Sequence, residues 1–98
     1  MKKYYQVDYN SETKQPIMDE LTYAKFASML DLGWSLVYDD VSVYITPIKQ
    51  CGVGVLDLTT ESHGIIERHS YLTADELLAH AKICGKTFLE IWEELYLM

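Results

Sequence analysis

The sequence predicts an α+β domain: an antiparallel sheet of four to five strands with helices packed on one face, in the order β-α-β-β-β-β-α-α. Three observations carry this. Period-two alternation rich in aromatic and β-branched residues recurs along the chain, and apolar residues at helical spacing stand before and after it. The strand-like segments between residues 34 and 71 are also joined by connections too short for parallel crossovers. A chain of 98 residues supports one hydrophobic core, so residues 1–98 are expected to form a single domain.

Residues 3–9 alternate, with Tyr5, Val7 and Tyr9 on one face and Tyr4, Gln6 and Asp8 on the other, which is a strand. The polar residues 10–16, ending in Pro16, follow as a loop. From Asp19 to Leu32, Tyr23, Phe26, Ala27 and Leu30 form an i, i+3, i+4, i+7 stripe with Met29 beside it. Asp19 or Thr22 can cap this helix, and Gly33 suits the left-handed position past its end.

Trp34–Tyr38 and Val41–Pro47 then make a hairpin. A two-residue turn at Asp39-Asp40 sets Tyr38 opposite Val41 and gathers Trp34, Leu36, Tyr38, Val41, Val43 and Ile45 on one face. Ser35, Val37, Ser42, Tyr44 and Thr46 take the other. A slip of one residue would scramble both sets, so the pattern itself fixes the register. After a break at Gln50–Gly52, Gly52–Thr60 reads as a strand weakened by Gly54, residues 61–64 as a turn and Ile65–Tyr71 as a further strand. Its two faces, one carrying Glu67 and His69 and the other Arg68 and Ser70, are both mixed, the mark of an edge strand blunted by charge.

Thr73–Glu76 reads as a capping box opening a helix that runs through Leu77, Leu78, Ala81 and Ile83, with Cys84 turned inward as a small hydrophobe. Gly85 stops it. A second capping box, Thr87–Glu90, opens a last helix whose buried stripe is Phe88, Ile91, Trp92 and Leu95. One bent helix and two separate helices are both open readings of this region.

Eight Lys and Arg against fifteen Asp and Glu give a net charge of -7, which argues against direct contact with nucleic acid or an anionic membrane. No apolar run approaches the ~20 residues that span a bilayer. No apolar stretch follows Met1-Lys2-Lys3, so a secretory signal is not expected. Cys51 and Cys84 stand alone, without a CxxC, and are expected to be reduced thiols of a cytoplasmic protein.

Chemistry leaves few traces. His63, His69 and His80 share no ligand spacing beyond His80 and Cys84 at i, i+4, and two ligands do not make a zinc site. No cofactor motif is present: Gly52-Val53-Gly54 precedes a strand, not the helix a phosphate loop needs. Cys51 with His63 or His69 has the residue types of a thiol–imidazole dyad, and Glu67 with His69 those of an acid–base pair, but no surrounding signature supports either.

The distinctive feature is acidic. Glu90, Glu93 and Glu94 are expected on one side of the last helix, with Glu93 and Glu94 opposed to its macrodipole near the C-terminal end, and Asp39-Asp40 sits at a hairpin tip. With exposed Tyr4 and Tyr44 as rigid aromatic anchors, these residues suit a surface complementary to a basic protein. The expected function is a non-catalytic binding module, a stoichiometric inhibitor or accessory protein that presents carboxylates where phosphates would sit. By analogy alone, anti-CRISPR, antirestriction and immunity-type proteins work this way. The alternatives are a small enzyme or ligand-binding domain using Cys51, His63, Glu67 and His69, and a subunit that self-associates through its sheet edge. The oligomeric state is open.

Overall fold

In the computed structural model, which describes residues 2–98, the alternating segments form two sheets. Met1, part of the start read for a secretory signal, lies outside the described residues. Strands β1 (Lys3–Asn10) and β2 (Gln15–Leu21) make a two-stranded antiparallel ribbon. Strands β3 (Trp34–Tyr38), β4 (Val41–Gln50), β5 (Val53–Ser62), β6 (Ile65–Tyr71) and β7 (Leu95–Leu97) make a five-stranded antiparallel sheet, ordered β6-β5-β4-β3-β7. Helices α1 (Tyr23–Ser28), α2 (Ala74–His80) and α3 (Phe88–Ile91) are short, and 3-10 turns follow at Leu30–Leu32 and Trp92–Glu94. The α+β class and the one-sided helical layer are as the sequence predicts.

The β3–β4 hairpin has the expected register, with Tyr38 opposite Val41 and Trp34 opposite Ile45. Its inward set supplies Leu36, Val41, Val43 and Ile45 to the core. β4 continues past Pro47 to Gln50, because β3 pairs no further than Ile45. At Pro47 no strand is paired on that side, so the missing N–H is not needed by the ladder.

Several expectations change. Residues 10–16 are not a plain loop, and the helix does not begin at Asp19: residues 15–21 form β2, and Thr22 is the N-cap, its hydroxyl accepting from the Lys25 N–H at 3.2 Å. Asp19 instead accepts from Lys25 Nζ at 2.9 Å, which ties the end of β2 to α1. The ribbon gives β1 the backbone partner that a lone strand lacks. The Thr73 helix ends at His80, and the chain turns at Cys84-Gly85 inside an isolated Ile83–Lys86 bridge. Cys84 is therefore exposed at a turn and does not look inward. Two separate C-terminal helices result.

The last helix is also shorter than its stripe suggested. α3 spans four residues and gives way through a 3-10 turn to β7, where Leu95 is buried, Tyr96 exposed and Leu97 half-buried. That alternation is the period of a strand, and β3 offers a free edge to satisfy it. Glu93 and Glu94 oppose the dipole of any continuing helix.

The core is assembled around Phe26, which is fully buried. Its ring lies 5.4 Å from Trp34, 5.9 Å from Phe88 and 5.2 Å from Trp92, so α1, the sheet and the C-terminal segment meet on one side chain. Phe26→Ala is expected to cost about 3–5 kcal/mol. Urea denaturation followed by Trp34 and Trp92 fluorescence checks this, and a loss under about 1 kcal/mol would contradict the ring's central place.

The tight turns at Cys51-Gly52, His63-Gly64 and Cys84-Gly85 each place both residues at positive φ, near +51° and +80°. This is the backbone of a two-residue type I′ turn, for which Asn-Gly is the preferred pair. Replacing Cys51 by Asn is expected to stabilise the fold by about 0.5–1 kcal/mol, read as a rise in melting temperature, because Asn tolerates this backbone better than Cys.

Candidate functional site

Strand pairing decides which of the acidic residues meet. Leu95 of β7 lies opposite Tyr38 of β3, so the segments just outside that pair come side by side: Glu93-Glu94 on one chain, Asp39-Asp40 on the other. Ser42 lies opposite Glu61, which brings Glu61 and the His63-Gly64 turn to the same end of the sheet. All five carboxylates belong to exposed residues. His63 Nε2 contacts Asp40 Oδ2 directly.

Lys3 borders this acidic end. It is 8% exposed, and its Nζ lies 4.6 Å from the centre of the Trp92 ring, a cation–π contact. Burial lowers the Lys3 pKa, while the nearby Glu93 and Glu94 carboxylates work the other way and favour the ammonium. No local pattern announces this contact, since Lys3 and Trp92 lie at opposite ends of the chain.

Glu90 does not belong to the cluster. It serves the capping box of α3: the Thr87 N–H and hydroxyl both donate to Glu90 Oε1, at 2.9 and 3.1 Å, and the Glu90 N–H donates back to Thr87 Oγ1 at 3.3 Å. The expected common helical side for Glu90, Glu93 and Glu94 is therefore not formed. Glu90 points back to Thr87, while the other two lie in a 3-10 turn that leads into a strand.

Among the described residues the helices leave one sheet face uncovered, since the buried residues of all three join the core on the other side. By register this open face presents Val37, Tyr44, Asp57, Thr59, Arg68 and Tyr96. Asp57 is buried even here, at 5% exposure. Arg68 lies across it, donating from Nη2 at 2.9 Å and Nε at 3.2 Å to Oδ2, with the hydroxyls of Thr59 and Ser70 each at 3.4 Å. A buried carboxylate needs such partners. Tyr44 is half-buried on this face, and Tyr96 stands two strands away with 47% exposure. Tyr4 is apart from both, on the ribbon opposite Glu20.

The residues of the catalytic alternative do not converge. Cys51 and His63 occupy the turns at opposite ends of the ten-residue β5, roughly 30 Å apart. Glu67 and His69 point to the helix side of β6, each exposed. Cys84 shares a shallow hollow with His63, Glu67 and Lys82. Because α2 stops at His80, the helical spacing to Cys84 is lost. Among the described residues no group of three or more His, Cys, Asp or Glu is placed to hold a metal ion, and no helix is long and apolar enough to cross a membrane. A groove of about 580 Å³ between α1, the far end of β4–β5 and the start of α2 is lined by none of the candidate residues.

The Glu90 carboxyl is held below its ordinary value by the Thr87 backbone N–H first and the Thr87 hydroxyl second, with Lys82 and Lys86 adding charge. The folded state thus binds this proton less readily than the unfolded chain. The stabilisation is whole above the ordinary value of 4.5 and is lost as pH falls through the lower folded value. The stability gap between the wild type and Glu90→Ala should accordingly narrow below pH 4.5 in denaturation curves; a gap constant with pH would contradict the assignment.

Set against protein-family models, curated proteins and solved structures, the chain matches none of them.

Proposed function

We propose that this protein is a non-catalytic binding module whose acidic sheet end docks on a protein with a basic surface. The observation that supports the reading is the register-built juxtaposition of Asp39-Asp40 with Glu93-Glu94, extended by Glu61. Oppositely charged surfaces accelerate encounter and lose that advantage as salt screens them. A partner reaching around this end meets Tyr96 and Tyr44 on the open face, two amphipathic rings of the kind that anchor interfaces. Tyr4, on the two-stranded ribbon, and Glu90, engaged in its capping box, are not part of the proposed surface.

A partner evolved to hold phosphates is the natural counterpart, since carboxylates at a rigid sheet end occupy the same kind of positive groove. The module would then act as a stoichiometric inhibitor or accessory of a nucleic-acid-handling protein. The two free, exposed thiols suit a reducing, cytoplasmic setting.

The test compares the wild type with a fourfold charge reversal, Asp39→Lys, Asp40→Lys, Glu93→Lys and Glu94→Lys, as baits in native lysate at low and moderate salt. The wild type is expected to retain a basic protein that salt releases, and the reversed chain to bind it at least about 100-fold more weakly. A circular dichroism spectrum like the wild type's establishes that the variant is folded. Equal capture by both baits would remove this end from the interface.

A further inference from the structure

We infer that β6 is a self-pairing edge: two copies of this chain join antiparallel through β6, about a two-fold axis at Arg68, into one continuous ten-stranded sheet. The inference is independent of the acidic end and rests on an edge that is both free and self-complementary.

β6 is the longer outer strand of the main sheet, seven residues against the three of β7, and every residue from Ile65 to Ser70 is exposed. Its free backbone groups follow from the turn before it. Ser62 and Ile65 flank the two-residue His63-Gly64 turn, which makes them a hydrogen-bonded pair. Antiparallel pairs alternate, so the N–H and C=O groups of Ile66, Arg68 and Ser70 point away from β5. A symmetric partner strand centred on Arg68 satisfies all three positions, pairing Ile66 with Ser70 and Arg68 with its own copy.

The side chains agree with that register. Continuity of both faces requires the paired positions to have the same parity, which leaves registers centred on single residues. Centring on Glu67 or on His69 sets like groups opposite each other. Centring on Arg68 sets Glu67 opposite His69 twice, at the non-hydrogen-bonded positions where side chains approach most closely. An imidazole N–H donates to a carboxylate in either protonation state. Among the described residues neither forms an ion pair: His69 faces Leu58 across the ladder, and Lys82 and His63, which share a hollow with Glu67, close none with it. The same register lays Ile65, 68% exposed, against the half-buried Tyr71 of the other copy. The two Arg68 side chains meet at the axis on the open face, but each guanidinium is already turned onto its own Asp57.

Sedimentation equilibrium of the intact chain from micromolar to sub-millimolar concentration tests this. The expected result is a concentration-dependent rise to twice the 11.3 kDa chain mass; a single-chain mass throughout overturns the inference. Ile66→Pro removes an outward N–H without touching the β5 ladder and is expected to give a folded monomer. Glu67→Lys should raise the dissociation constant about tenfold, and Glu67→Lys combined with His69→Glu should restore it, since the pair is only exchanged. Should Ile66→Pro fail to fold, this charge exchange decides alone. A dimer indifferent to both sets of changes would use another surface and would overturn the inference equally.

Discussion

The packing of Phe26 against Trp34, Phe88 and Trp92 is the interaction on which the remaining structure depends. The individual helices, none longer than seven residues, are too short to persist by their own hydrogen bonds. They are held because each contributes large apolar side chains to one shared core: Phe26 from α1, Leu77 from α2, Phe88 and Ile91 from α3. Once α3 is fixed in this way, the chain emerging from it has little choice but to run along β3. The pairing of β7 with β3, and with it the meeting of Glu93-Glu94 and Asp39-Asp40, is thus a consequence of an aromatic contact on the other side of the sheet.

Much of this fold was legible in the sequence where the signal was local. The β3–β4 register could be derived because one residue of slip would have exchanged Leu36 and Val43 for Ser35 and Ser42. The caps at Thr22, Thr73 and Thr87 were readable because a cap involves side chain and backbone only three residues apart. What escaped was decided by distant partners. β2 is polar apart from Ile17, Met18 and Leu21, and only β1 makes it a strand. β7 is three residues long and carries no turn signal, and only β3 makes it a strand. The type I′ turns were obscured for another reason: Cys and His hold positions that Asn or Asp usually occupies, so the local composition did not announce the backbone.

The candidate site divides along the same line. Each carboxylate could be named from the sequence, but not the company it keeps, because Asp39 and Glu94 are neighbours only through β3–β7 pairing. Glu90 shows the opposite failure. Its capping box was read correctly, yet a carboxylate accepting from both the N–H and the hydroxyl of Thr87 is held in place locally. One residue cannot be a satisfied cap and a free docking charge together. The Asp57–Arg68 pair, in contrast, had no sequence signature at all, since the two residues meet only across the β5–β6 ladder.

Charge also bears on how two such chains can associate. Each carries a net charge of -7, and a dimer that brought the acidic ends together would set Asp39, Asp40, Glu93 and Glu94 of one copy against those of the other. Antiparallel pairing through β6 does the reverse. Each acidic end lies at the end of the sheet where its own β6 begins, and the two β6 strands run in opposite directions. The acidic ends therefore fall at opposite ends of the joined sheet, separated by at least a seven-residue strand, roughly 20 Å. That exceeds two Debye lengths at physiological salt, about 8 Å each, so the repulsion between them is largely screened. The axis itself is occupied by Arg68, the one cation of β6 that is already compensated within its own chain. The edge suited to self-association and the end suited to a basic partner can thus operate in one assembly, each leaving the other accessible.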